Sequence, residues 1–97
     1  MPVVFMIPGA LRELAGGRAE VRLEAGPGPL STALARLWAE CPGIRDRILT
    51  ELGRVRPHIN IFVDGDNIRD VAGLETPVQA DSEVFILPAV SGGSKNP

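Results

Sequence analysis

Leu30-Ser31-Thr32-Ala33-Leu34-Ala35-Arg36-Leu37-Trp38-Ala39-Glu40-Cys41 sets apolar residues at positions 30, 33, 34, 37, 38 and 41. That spacing lines one face of an α-helix. Pro42-Gly43 stops the run, because proline cannot continue a helix and glycine loosens it. On both sides of this stretch the apolar period falls to two. Residues 3–7 form a short, continuously apolar run rich in valine and isoleucine, closed by Pro8-Gly9, and read as a central strand buried on at least one face. After a polar connection containing Gly16-Gly17, residues 19–24 alternate, with Val21 and Leu23 inward and Glu20, Arg22 and Glu24 outward. This is an edge strand hairpinned to the first. Gly26-Pro27-Gly28-Pro29 is read as a crossover that cannot continue a ladder, since proline lacks the donor.

Beyond the main helix, Ile44, Ile48, Leu49 and Leu52 fall on one side of a second, shorter helix that Gly53 ends. Residues 58–64 return to period two, with Ile59, Ile61 and Val63 inward, His58, Asn60 and Asp64 outward, and Asp64-Gly65-Asp66-Asn67 as the turn. Residues 68–71 are read as a very short returning strand. Thr76-Pro77 and Asp81-Ser82 mark loop, and residues 83–87 make a final strand ending at Pro88. The order predicts an α+β unit: a mixed sheet of four to five strands, one main helix across one face and one short helix.

Ninety-seven residues, 44% apolar and 23% charged, make one domain with an ordinary globular composition. Ten basic residues against twelve acidic ones leave a net charge of −2 without a basic stripe, which argues against a nucleic-acid partner. The apolar runs fall short of the ~20 residues a membrane span requires, and no basic region precedes an apolar stretch at the N-terminus. Cys41 is the sole cysteine, so no internal disulfide forms. Together these features place the chain in the cytoplasm.

Most enzymatic arrangements are missing. Gly9, Gly16 and Gly17 lack the spacing of a phosphate loop, and His58, the sole histidine, has no cluster with which to share a metal. Cys41 and His58 could form a nucleophile and base, but the helix stripe accounts for Cys41 as a small buried apolar residue. Counted as a calcium loop from Asp64, the sixth position is Arg69 rather than glycine and only Glu75 matches, so the segment is a hairpin turn. No bound cofactor and no metal site follows.

One unusual feature remains, at the exit from the last strand. Val90-Ser91 lead into Gly92-Gly93 on an arm that no hydrophobic pattern anchors. Composition alone allows a frayed terminus. It equally allows an arm that threads into a narrow cleft of another enzyme and presents a carbonyl that no β-carbon obstructs.

The run His58-Ile59-Asn60-Ile61-Phe62-Val63-Asp64-Gly65, then Leu74-Glu75-Thr76-Pro77, then residues 81–90 and Ser91-Gly92-Gly93 resemble the MoaD/ThiS family of ubiquitin-like sulfur carriers. Within it the chain looks most like the cysteine-biosynthesis type, through Ile7-Pro8, Asn60-Ile61-Phe62-Val63 and Ile86-Leu87-Pro88-Ala89-Val90. The resemblance implies a β-grasp domain over residues 1–90 and a flexible tail over residues 91–97. It implies a protein that is itself no enzyme. An E1-like adenylyltransferase/sulfurtransferase consuming ATP would adenylate the carboxylate of Gly93, and sulfur would displace AMP to leave a thiocarboxylate for a sulfur-accepting biosynthetic enzyme. Gly92 would provide clearance beside it. Ser94-Lys95-Asn96-Pro97 depart from that pattern, because they hold the Gly93 carbonyl in a peptide bond. Some relatives carry extensions that a JAMM-type zinc peptidase removes. Two alternatives stay open: the small subunit of molybdopterin synthase, and a β-grasp interaction module whose glycines are incidental.

Period two also locates a surface. With Val84 and Ile86 inward, Phe85 and Leu87 face outward, and Phe62 lies on the outward register of its strand, so that Phe62, Phe85, Leu87 and Val90 form a candidate partner patch. Nine of the ten basic residues are arginine, and Lys95 lies beyond Gly93, so a chain trimmed there has no lysine on which copies could polymerise. A general preference for arginine over lysine explains the same composition.

Overall fold

The apolar stripe does form a helix: in the computed structural model, which describes residues 2–88, it spans Leu30–Glu40 and buries Leu30, Ala33, Leu34 and Leu37. In chain order the strands are β1 (Val3–Met6), β2 (Glu20–Leu23), β3 (Gly28–Pro29), β4 (Ile59–Val63), β5 (Asp66–Asn67), β6 (Pro77–Val78) and β7 (Glu83–Pro88). The helices are α1 (Leu30–Glu40) and α2 (Arg45–Ile48). Five strands make the main sheet in the order β2-β1-β7-β4-β5. β1 runs antiparallel to β2 and parallel to β7, and β4 is antiparallel to both β7 and β5. The sheet is therefore mixed, and α1 covers one face.

The side-chain period of two sorts the sheet into two faces. Val3, Phe5, Val21, Ile59, Ile61, Val63, Val84 and Ile86 turn inward and are buried against the α1 stripe. Ile44, Ile48, Ile68 and Val78 close the ends of this core, each with 2% or less of its surface exposed. Cys41 is buried beside them, as the helix stripe requires. Burying an aliphatic side chain of this size contributes about 1.5–3 kcal/mol, so the sheet and helix faces specify the layer arrangement.

Five details differ from the sequence reading. β1 is an interior strand, but β7 is the middle one, because it pairs with both β1 and β4. Gly9–Ala15 is a 3-10 helix that buries Leu11 and Ala15, where only a polar connection was expected. Gly28–Pro29 does enter a ladder, pairing with Pro77–Val78 in a two-stranded ribbon. The ribbon is followed at once by the bond from Leu30 N–H to the Thr76 carbonyl at 2.8 Å. The approach to it is tight, since a β-carbon on Gly26 would fall 2.6 Å from the Gln79 carbonyl oxygen.

The second helix is also shorter than the reading of residues 44–52. A 3-10 turn at Pro42–Ile44 runs into α2, and Leu49 is already extended, bridging to Val55. The Thr50 hydroxyl accepts hydrogen bonds from Leu52 N–H and Arg54 N–H, each at 3.2 Å, which competes with helix continuation. Leu52 consequently sits on the turn, 80% exposed instead of inward. Residues 68–71 are no strand either. The returning strand is Asp66–Asn67, and the Asn67 side chain accepts from Arg69 N–H at 3.0 Å, starting a 3-10 turn at Ile68–Asp70.

Two polar devices hold the β4–β5 end. Asp64 and Gly65 both have positive φ, at 50° and 91°, as the hairpin turn demands. The Asp64 carboxylate accepts from the buried Ser82 hydroxyl at 2.6 Å and from Glu83 N–H at 2.9 Å, tying the turn to the start of β7. Arg69 donates to the carbonyls of Ile59 at 2.7 Å and Arg56 at 3.1 Å and to the Asn60 side chain at 3.2 Å. Removing these bonds in Arg69→Ala is expected to cost about 1–2 kcal/mol, read as a lower denaturant midpoint with unchanged slope. Arg12, Arg18 and Arg56 likewise donate through Nε to backbone carbonyls, so part of the arginine usage is structural. A lysine ammonium does not present that planar fork.

Candidate functional site

The sheet face opposite α1 carries the outward residues of each strand. Cross-strand register places Glu20, Met6, Phe85, Phe62 and Asn67 in one row from β2 to β5. Three of these are large and apolar and lie on adjacent strands, where directly opposed Cβ atoms stand about 5 Å apart. Met6, Phe62 and Phe85 are each half-buried by their neighbours, while Leu87, one step further along β7 and opposite Asn60, is 44% exposed. In the other direction Val4 sits between Arg22 and Glu83. The surface is thus an apolar band with charged groups along one margin, the usual composition of a protein contact.

The structure brings Phe62, Phe85 and Leu87 onto this face. Val90, Gly92 and Gly93 lie outside the described residues. Met6 and Val4 were not anticipated. Residues 3–7 are apolar throughout, so the run gives no sign of which face each side chain takes until Val3 and Phe5 are seen in the core. Arg12 was missed as well. The 3-10 segment Gly9–Ala15 carries it to a pocket of about 190 Å³, where it faces Met6, Pro8, Phe85 and Leu87 at the end of β7 from which the chain leaves.

Among the described residues no metal-holding cluster and no hydrogen-bonded cysteine–histidine pair accompanies this face. Among the described residues no group of three His, Cys, Asp or Glu is placed to hold a metal. Cys41 is buried with Arg18 Nη2 3.5 Å from its sulfur, His58 is exposed ahead of β4, and no hydrogen bond joins the two. A wider concavity of about 400 Å³ lies on the β3–β6 ribbon among Pro27, Pro29, Glu75, Pro77 and Gln79, with Glu75 its one titratable group. Among the described residues no helix is long and apolar enough to cross a membrane. Among the described residues, what stands out is the apolar band on the outward sheet face.

Comparison with known proteins bears on the fold and the family. The model of the ThiS family matches residues 5–93. The sulfur carrier protein CysO of Mycobacterium tuberculosis is 34% identical over 95 residues, covering 96% of this chain and 100% of the relative. In the crystal structure of the Amycolatopsis orientalis BexX/CysO complex, a chain superposes with a TM-score of 0.84 at 32% identity, covering 94% of this chain and 99% of that one. SAMP1 of Haloferax volcanii superposes with a TM-score of 0.79 at 28% identity, covering 96% and 100% respectively. The expected β-grasp, with its mixed five-stranded sheet and one main helix, is the fold these structures share.

Proposed function

This chain belongs to the ThiS family of ubiquitin-like sulfur carriers, and on that premise we propose that its sulfur is borne by Gly93 as a thiocarboxylate. The observation that supports this most is where the family match ends. It runs through Gly92-Gly93 and stops at residue 93, leaving Ser94-Lys95-Asn96-Pro97 outside it. Gly93 lies five residues past Pro88, the end of β7.

The chemistry divides between two proteins. A carboxylate is a poor electrophile, and this chain has no glycine-rich phosphate loop with which to activate it. A partner spends ATP to convert the Gly93 carboxylate into an acyl-adenylate with loss of pyrophosphate. Sulfide then displaces AMP, and the thiocarboxylate passes its sulfur to an acceptor enzyme in the biosynthesis of cysteine or another sulfur-containing metabolite. That a related CysO is found in complex with BexX supports a protein partner for this chain as well. Before activation the Gly93–Ser94 peptide bond must be hydrolysed, which is work for a JAMM-type zinc peptidase.

The extension supplies the test. A chain ending at Gly93 is expected to release pyrophosphate with the adenylating partner and ATP, whereas the full chain of 97 residues releases none until residues 94–97 are removed. Equal pyrophosphate release from the uncut chain would rule out activation at Gly93.

A further inference from the structure

Of the ten basic residues in this chain nine are arginine. Four of these put the planar guanidinium to structural use: Arg12, Arg18, Arg56 and Arg69 donate to backbone carbonyls. The other five have no such task. Arg22 and Arg45 make exposed pairs with Glu20 and Asp46 that an ammonium would make as well. Among the described residues the side chains of Arg36, Arg47 and Arg54 are exposed and have no hydrogen-bond or ion-pair partner. At these five positions the fold accepts a cation without requiring arginine. Yet the one lysine is Lys95, past Gly93, in the stretch that trimming removes.

The two cations differ as nucleophiles. A lysine amine attacks once it has lost its proton, whereas a guanidinium stays protonated. An acyl-adenylate is open to sulfide and to amines alike. With an amine, a C–N bond forms, the bond from the acyl carbon to the phosphate oxygen breaks, AMP leaves and the amine gives its proton to water. The resulting isopeptide can no longer take up sulfur. Other nucleophiles on the domain are few. Cys41 is the sole thiol and is 2% exposed. His58 is exposed just ahead of Ile59, the register partner of Pro88, but an acyl-imidazole remains activated and passes on to water or sulfide. Whatever precedes Val3 joins the sheet at the other end, because β1 runs parallel to β7 with Val4 beside Glu83. Glu83 and Pro88 bound β7, and its length is about 17 Å at the usual strand rise.

We propose that the trimmed carrier is kept free of side-chain amines and accessible thiols so that its activated Gly93 acyl group survives to meet sulfide, trimming having removed the last such amine with Lys95. The inference rests on the reading of Gly93 as the activated residue. It goes beyond the missing site for polymerisation, because the hazard lies within one chain as much as between copies. A general preference for arginine makes a different prediction, since it leaves a lysine added to this surface without consequence.

The test uses chains ending at Gly93, the adenylating partner and ATP with sulfide withheld, and intact mass as the readout. His58→Lys sets an amine beside the end of β7. It is expected to lose the mass of one water, with fragmentation joining Gly93 to position 58, at a yield roughly tenfold or more above any such product of the native carrier. His58→Gln, which has no amine, is expected to behave as the native chain, and matching thermal melts show that all three are folded. Arg54→Lys, which leaves the charge unchanged, carries the same test should His58→Lys release no pyrophosphate. With sulfide restored, the lysine variants are expected to yield less thiocarboxylate than the native carrier. Hydroxylamine added to the native reaction is expected to give the Gly93 hydroxamate, the sign of an adenylate open to amines. Hydroxamate from the native carrier without isopeptide from either lysine variant overturns the proposal. So does a native carrier that releases pyrophosphate and gives no hydroxamate, since an adenylate closed to amines needs no such surface. Absence of pyrophosphate with the native trimmed carrier overturns activation at Gly93 itself and this inference with it.

Discussion

Phe85→Asp is expected to raise the KM of the trimmed carrier for its adenylating partner by roughly a hundredfold, the loss typical of a central contact residue, and to leave the domain folded. Phe85 stands on the middle strand of the sheet, between Met6 on β1 and Phe62 on β4, so it is the centre of the apolar row. An aspartate there removes the central apolar contact of the row and adds a charge that must be desolvated on contact, even with Arg12 lining the same pocket. The fold tolerates the change because the core side of β7 is carried by Val84 and Ile86, both fully buried, while Phe85 is half-exposed on the opposite face. What the domain loses is one aromatic cross-strand pair, about 0.5–1.5 kcal/mol. Steady-state kinetics and a circular-dichroism melt of the same preparation check both halves. An unfolded variant would show that this face belongs to the stability of the domain and not to its recognition.

The second large effect is expected at Gly92, four residues past the end of β7 in the sequence. Gly92→Val should lower kcat for pyrophosphate release by about a hundredfold, the scale on which a misplacement of roughly 1 Å at a reacting group acts. A branched β-carbon next to Gly93 obstructs entry of the acid into a narrow cleft and restricts the extended backbone the approach requires. The melting temperature should not move, since the core that holds sheet and helix together is built from residues 3–86. A single-turnover assay at saturating carrier separates this rate effect from the binding effect of Phe85→Asp. Native kcat in Gly92→Val would show that clearance beside Gly93 is not required.

Much of the architecture is legible in periodicity. The stripe from Leu30 to Cys41 and the alternation through Val21, Ile61 and Ile86 define α1, β2, β4 and β7, because each element buries one face against the other layer. The parts that escaped are those where short-range hydrogen bonds outweigh pattern. Thr50 ends α2 early and exposes Leu52, and Asn67 converts residues after β5 into a 3-10 turn. Proline at positions 29 and 77 conceals the β3–β6 ribbon, which pairs only two residues on each side.

The same division runs through the site. Phe62, Phe85 and Leu87 are readable because their inward neighbours set the parity of β4 and β7. Met6 is not, in a strand apolar on both faces. Arg12 is beyond any local pattern, since its position depends on where β1 and β7, far apart in sequence, diverge.

The most direct measurement is the intact mass of the chain trimmed to Gly93 after incubation with the adenylating partner, ATP and sulfide. Replacement of one oxygen by sulfur, traced by fragmentation to Gly93, is the result this account predicts. An unchanged mass in a reaction that has consumed ATP, or sulfur found on Cys41 instead, would contradict it.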